Sequence, residues 1–187
     1  MTTLIPRSLA VLTAALLSLA ACGPGPSTDW APVTVAGLTL DSPGRLVQIS
    51  TEVPAAMDPA VRAAVQRIDS YGRSVGQAEV RVSRVIYQPT AVLSLRGAAQ
   101  GAVDAVRGNP AIGGLTHTHA AAEMSGIPAI RTSTRFTVRD NPALGEMLTV
   151  LRGQTLWQVQ VLGPAGPQTE TLARRVMDSV RLEPAPA

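Results

Sequence analysis

The residues able to do chemistry are few and fall into groups. His117 and His119 are the only histidines, and on a strand their two-residue spacing puts both on one face. Two imidazoles so placed supply half of a metal site. Glu123 shares their parity and is a third donor, but at strand rise it lies about 13 Å beyond His119. Arg131, Arg135 and Arg139 form a second group, all on one strand face and roughly 13 Å apart. Such a row of guanidiniums reads phosphate, carboxylate or an acidic protein surface through charge-assisted hydrogen bonds. Cys22 is the only thiol.

The strands that carry these groups fix how they meet. Leu115 to Met124 and Ala129 to Val138 read as partners across a turn at Ser125-Gly126-Ile127-Pro128. If Glu123 pairs near Arg131, His119 falls near Arg135 and Leu115 near Arg139. A cation at the histidines would then be repelled by the arginine row, and Arg131 would take the Glu123 carboxylate in a cross-strand pair. No metal is therefore expected, and His117 and His119 are the only candidates for one. Arg131, Arg135 and Arg139 with His119 are the candidate patch for an anionic ligand or partner. The competing reading is a polar outer sheet face, partly neutralised by Glu123.

Catalytic signatures are lacking. The sequence has no G-x-S-x-G elbow, and Gly108 to Gly114 lacks the lysine and spacing of a phosphate loop. No close acidic pair follows glycosidase logic. An enzyme is not expected, and no catalytic residue is assigned.

The N-terminus supplies an address. Met1 to Arg7 carries one arginine, the mild charge of a signal-peptide start, and Ser8 to Ala21 follows as a run rich in Leu, Ala and Val. The run is shorter than the roughly 20 residues a membrane-crossing helix needs. It ends in Leu19-Ala20-Ala21-Cys22, which resembles the bacterial lipobox. That resemblance implies cleavage before Cys22, a diacylglyceryl group on its sulfur, and a further acyl chain such as palmitate on the new amine. One acyl chain binds a membrane only marginally, whereas two hold it stably. An ordinary secretory leader with a stray cysteine is the alternative. A lone cysteine also rules out an intramolecular disulfide, so the mature domain must be stable through its core alone.

Residues 1–21 are thus expected to be removed, 22–32 to form the lipidated Cys22 and a Pro/Gly-rich tether, 33–182 to form one domain, and 183–187 to be a disordered tail. Removing the leader from the 187 residues leaves 166, enough for one core. All 16 basic residues are arginine, set against 13 acids. Without Arg7 the balance is only about +2, and five aromatic residues are few for stacking on bases. Nucleic acid is not an expected partner. The arginines also never cluster as anionic-lipid recognition requires.

The domain reads as α+β. Val33 to Leu40 alternates and is followed by the turn Asp41-Ser42-Pro43-Gly44, then a short strand from Arg45 to Ser50. Asp58 caps a helix whose apolar stripe runs Val61, Ala64, Val65, Ile68, and a loop from Asp69 to Gly76 contains Tyr71. Glu79 to Tyr87 is a strand. Thr90 caps a helix to Arg107, which Gly108-Asn109-Pro110 ends. After the histidine and arginine strands come strands from Glu146 to Leu151 and Leu156 to Leu162, with Asp140-Asn141-Pro142 and Arg152-Gly153-Gln154 as turns. Gln168 to Val180 is an amphipathic helix, and Leu182 finishes the core. Strands joined by short turns must be antiparallel.

The wording of the last third then matters. Gly126-Ile127-Pro128-Ala129-Ile130-Arg131, Arg152-Gly153 with Leu156-Trp157, and Leu172-Ala173-Arg174-Arg175-Val176 through Asp178-Ser179-Val180 resemble the PsbP-like superfamily, which includes the LpqN- and DcrB-type envelope lipoproteins. The resemblance spans residues 33–182 and implies an α/β/α sandwich around a mainly antiparallel sheet. Members act mostly by binding proteins, and no family-wide catalytic residues carry over. The expected function is a non-catalytic binding or accessory module in the cell envelope, with an envelope protein as partner. The membrane would be met through the lipid anchor alone, on the outer side of the cytoplasmic membrane or the periplasmic side of an outer one. No cofactor is expected beyond the covalent lipid on Cys22. The alternative is a carrier of a lipid or anionic metabolite, with a pocket between sheet and helices lined by Val103, Trp157 and Leu172.

Overall fold

The computed structural model describes residues 29–50 and 59–183. Cys22, most of the tether, Asp58 and the tail beyond Glu183 lie outside them. The elements run β1 (Ala31–Val35), β2 (Leu38–Ser42), β3 (Val47–Ser50), α1 (Pro59–Ala64), β4 (Val65–Val75), β5 (Ala78–Tyr87), α2 (Leu95–Arg107), β6 (Ile112–Met124), β7 (Ile127–Val138), β8 (Asn141–Arg152), β9 (Thr155–Pro164), α3 (Pro167–Ser179) and β10 (Arg181–Leu182).

One sheet holds seven strands in the order β3-β4-β5-β9-β8-β7-β6, and every pairing in it is antiparallel. A smaller sheet, β1-β2-β10, stands apart from it. Side chains alternate across the large sheet, so each strand feeds two faces. On one face, Val80, Val82, Leu148, Val150, Trp157, Val159 and Val161 pack against Leu172, Val176 and Met177 of α3 and Leu38, Leu40 and Leu182 of the small sheet. On the other, Val85, Tyr87 and Leu156 meet Val61 of α1 and Ala98 of α2. The result is an α+β domain of three layers, with the large sheet in the middle.

Local chemistry explains the elements that hold the candidate residues. Ser94 caps α2: its side-chain oxygen accepts from the Gly97 N–H at 3.0 Å. A Cβ at Gly97 would lie 2.6 Å from Ser94 Oγ, so a larger residue there would push the capping hydroxyl aside. The cap is thus four residues later than the expected Thr90. Ala98, Ala99 and Ala102 let α2 sit close on the sheet. Pro167 starts α3 with its φ already helical, and Glu170 in the first turn complements the helix dipole.

Three expectations are corrected. The helix expected to run through Ile68 stops at Ala64, and Val65–Val75, expected partly as loop, is a strand paired with β5 along its whole length. Its many polar residues are stabilised by partners rather than by propensity. Asp69, only 1% exposed, accepts from Arg67 Nε and Nη2 at 3.0 and 2.9 Å and from Arg84 Nε and Nη2 at 3.1 and 2.6 Å. Burial pushes the Asp69 carboxyl up, but the bonds from the two guanidiniums outweigh it and hold the group below the usual carboxylate value. Second, the residues expected as one alternating strand, Val33 to Leu40, are split by a hairpin turn at Ala36-Gly37, and β1 begins at Ala31, inside the expected tether.

The third correction concerns the turn between β6 and β7. It is two residues long, Ser125-Gly126, with φ of 52° and 78°. Positive φ at both central positions is the type I′ geometry that matches strand twist. Pro128 lies inside β7, opposite Glu123. In an antiparallel hairpin closed this way, Met124 and Ile127 exchange backbone bonds and the next pair does not. Pro128 therefore occupies a position that asks β6 for no N–H bond, which is how a strand tolerates it.

Candidate functional site

The shorter turn shifts the β6–β7 register by three residues from the expected one. Glu123 faces Pro128, His119 faces Thr132, Ala120 faces Arg131 and Thr116 faces Arg135. Because the shift is odd, it turns the arginines to the opposite face from the histidines. The structure therefore does not bring His119 together with the arginine row. His117, His119 and Thr132 lie on the face covered by α2; Arg131 and Arg135 lie on the face covered by α3.

The histidines form a closed polar group. Their rings are edge-to-face with centroids 4.9 Å apart. His119 Nε2 lies 3.3 Å from Gln100 Oε1 on α2, and Nδ1 lies 2.9 Å from Thr132 Oγ1. Gln100 Nε2 donates to Asp104 Oδ1 at 2.9 Å, which fixes the Gln100 amide with its oxygen toward the imidazole. His119 then donates from Nε2 and accepts the Thr132 hydroxyl at Nδ1, the neutral tautomer. Burial, the adjacent His117 and Arg96 all push its pKa below the usual histidine value. Both nitrogens of His119 are thus occupied by hydrogen bonds, so binding a metal there would require breaking one.

The arginines are met by acids that sequence spacing did not reveal. Arg131 donates from Nε to Glu146 Oε2 at 3.1 Å and from Nη1 to Asp178 Oδ1 at 3.3 Å. Arg135 Nη2 lies 3.5 Å from Glu170 Oε1. Glu146 comes from β8; Asp178 and Glu170 come from α3, far along the chain. Arg139 stands in the β7–β8 turn with Asp140, both at positive φ, rather than continuing the strand row. Arg135, with 69% of its side chain exposed, is more open than Arg131, and Arg139 is exposed as well.

Two features had no sequence signal. Gln158, 1% exposed at the centre of the sheet on the α2 face, has no protein hydrogen-bond partner for either end of its amide, and the facing Thr149 hydroxyl has none either. A cleft of about 280 Å³ lies at the far end of that face, lined chiefly by Phe136, Val138, Pro142, Ala143 and Leu162, with Gln77 and Asn141 among its polar members. The residues expected to line a pocket do not meet there. Trp157 and Leu172 belong to the α3-side core, where Trp157 Nε1 donates to the Ala36 carbonyl at 2.8 Å, whereas Val103 is buried on α2. Trp30, inside the range 22–32 but expected to cap the domain rather than to belong to the coil, packs on it with the Arg175 guanidinium 3.9 Å from its ring centroid.

No family model matches the chain, and no curated protein matches it. Among solved structures it is similar to the cyanobacterial PsbP protein, CyanoP, of Synechocystis, with a TM-score of 0.50 and 14% identity over 88% of this chain and 98% of that one. That similarity, with the antiparallel sheet and three helices, defines a PsbP-like α+β fold. Two further structures align at a TM-score of 0.46. One is LpqN of Mycobacterium tuberculosis, a protein involved in cell envelope biogenesis, with 17% identity over 83% of this chain and 91% of that one. The other is PA94 of Pseudomonas aeruginosa, of unknown function, with 12% identity over 77% of this chain and all of that one. Among the described residues, no helix is long and apolar enough to cross a membrane.

Proposed function

We propose that this chain is a lipid-anchored cell-envelope protein whose PsbP-like domain is a non-catalytic binding module. The observation that carries the proposal is the sequence Leu19-Ala20-Ala21-Cys22 closing an apolar leader and holding the only cysteine. Acyl chains on Cys22 would hold the domain at a membrane surface through a short tether. Exposed apolar side chains support a protein partner: Val47 and Ile49 on the edge strand β3, and Val92 ahead of α2. Arg135 and Arg139 offer positive charge to an acidic partner surface. Mass spectrometry of the mature protein tests the anchor, with an N-terminal, diacylglycerol-modified Cys22 expected. Cys22→Ser should release the domain from membranes, and continued fractionation with them would refute the anchor. Crosslinking in native membranes tests the binding role, with one reproducible protein partner expected.

A second reading, a carrier of a small apolar ligand, is favoured by the cleft beside Phe136 and Leu162. Native mass spectrometry of protein from its own host separates the two, because a carrier retains its ligand.

A further inference from the structure

Strand β6 is an unusual edge. It runs from Ile112 to Met124, ends the seven-stranded sheet, and pairs on one side with β7; among the described residues no strand pairs with the other side. Edge strands are normally protected by charge, proline or shortness. From Ile112 through Ala122 this one has no Asp, Glu, Lys, Arg or Pro, and its single carboxylate, Glu123, comes at the end. Thr116, Thr118, Ala120, Ala121 and Glu123 are all exposed.

The Ser125-Gly126 turn fixes which backbone groups are free. Since Met124 and Ile127 exchange bonds, so do the alternate pairs Ala122–Ala129, Ala120–Arg131, Thr118–Ser133 and Thr116–Arg135. The N–H and C=O groups of His117, His119, Ala121 and Glu123 therefore point away from β7.

We propose that β6 pairs antiparallel with β6 of a second copy of this chain, about a two-fold axis through Ala120. This register brings outward-facing groups together in every bonded pair: His117 with Glu123 of the second copy, His119 with its Ala121, and the same two pairs repeated by symmetry. It sets a carboxylate opposite an imidazole twice and creates no like-charge pair. On the other face, Thr118 meets the second Ala122, and the two Ala120 side chains meet on the axis without bulk to separate the strands. Centring instead on His119 would stack imidazole on imidazole and leave Glu123 opposite Leu115. The contact would join two large sheets into one continuous sheet.

The dyad can be trapped. The two Ala120 residues form a non-bonded antiparallel pair, whose Cα atoms lie about 4.5 Å apart, within reach of a disulfide. In the full-length Cys22→Ser chain in detergent, Ala120→Cys has the only thiol. Mild oxidation should give a covalent dimer in high yield, while Ala122→Cys in the same background gives little. Sedimentation should show a dimer, and Ala121→Pro should abolish it. That proline removes an N–H that points away from β7 and bonds to no described strand, so circular dichroism should be unchanged. Should Ala121→Pro unfold the chain, Glu123→Arg serves instead, with dimer affinity expected to fall roughly 5- to 10-fold. A chain that stays monomeric at every concentration and does not crosslink through Ala120→Cys overturns the proposal and leaves the edge to a strand of different sequence. Equal crosslinking by Ala122→Cys overturns the register, and a dimer indifferent to a folded Ala121→Pro or to Glu123→Arg overturns the surface.

Discussion

His119 and Arg131 lie one residue out of register across the β6–β7 pair, and so on opposite faces of one sheet. A basic patch combining them cannot form on this domain. Each group answers to a different helix, His119 to α2 and Arg131 to α3, and each can be tested separately.

Arg131 ties β7 to both β8 and α3. Arg131→Ala should cost about 1 kcal/mol of unfolding free energy, because two partly exposed ion pairs go and the sheltered Glu146 loses its partner. Arg135→Ala, more exposed and with a longer contact, should change stability by less than about 0.5 kcal/mol. Urea denaturation of the two variants compares them directly.

His119 makes stability depend on pH. Its folded pKa is depressed, so the unfolded chain takes up the proton first as pH falls. The contribution is intact above the unfolded value of about 6.5 and is lost as pH drops through the folded one. Urea midpoints should decline between about pH 7 and 5 in the parent, and less steeply in His119→Gln. Identical slopes would show that the Thr132–His119–Gln100 chain does not hold the imidazole neutral.

Asp69 is the polar centre of β4. Asp69→Asn keeps the shape but loses charge-assisted bonds from two arginines, and should cost about 2 kcal/mol. Its depressed pKa gives stability that is present above the ordinary carboxylate value and lost as pH falls through the folded one. Acid unfolding should therefore begin at higher pH in Asp69→Asn, as thermal melts in an acid series would show.

Gln158 should be replaceable at a gain. Its amide is buried with no protein partner, so Gln158→Met should raise stability by about 1–2 kcal/mol. Chemical denaturation reads the change, and a loss of similar size would mean that the amide is satisfied in solution.

Much of the fold was legible because hydrophobic periodicity carried it. β5, β9 and α3 follow their apolar patterns to within a few residues. β4 was not, because its buried Asp69 is held by Arg67 on its own strand and by Arg84 across on β5, and no local pattern announces the second contact. The β6–β7 register turns on Pro128, which reads as a turn residue but sits inside β7 where β6 needs no N–H from it. That single displacement put the histidines and arginines on one face when the chain puts them on two. The acids that meet Arg131 and Arg135 come largely from α3, beyond the reach of spacing rules.

The small sheet has a consequence for how the domain is made. β2, at residues 38–42, gains its second neighbour from Arg181–Leu182, and Leu182 is buried in the same core. A ribosome must pass Leu182 before that layer can shut, and contacts of such long range form slowly. Until then Leu38 and Leu40 stay without the lid that Leu182 gives them, so the last turn of the chain closes what its first hairpin opened.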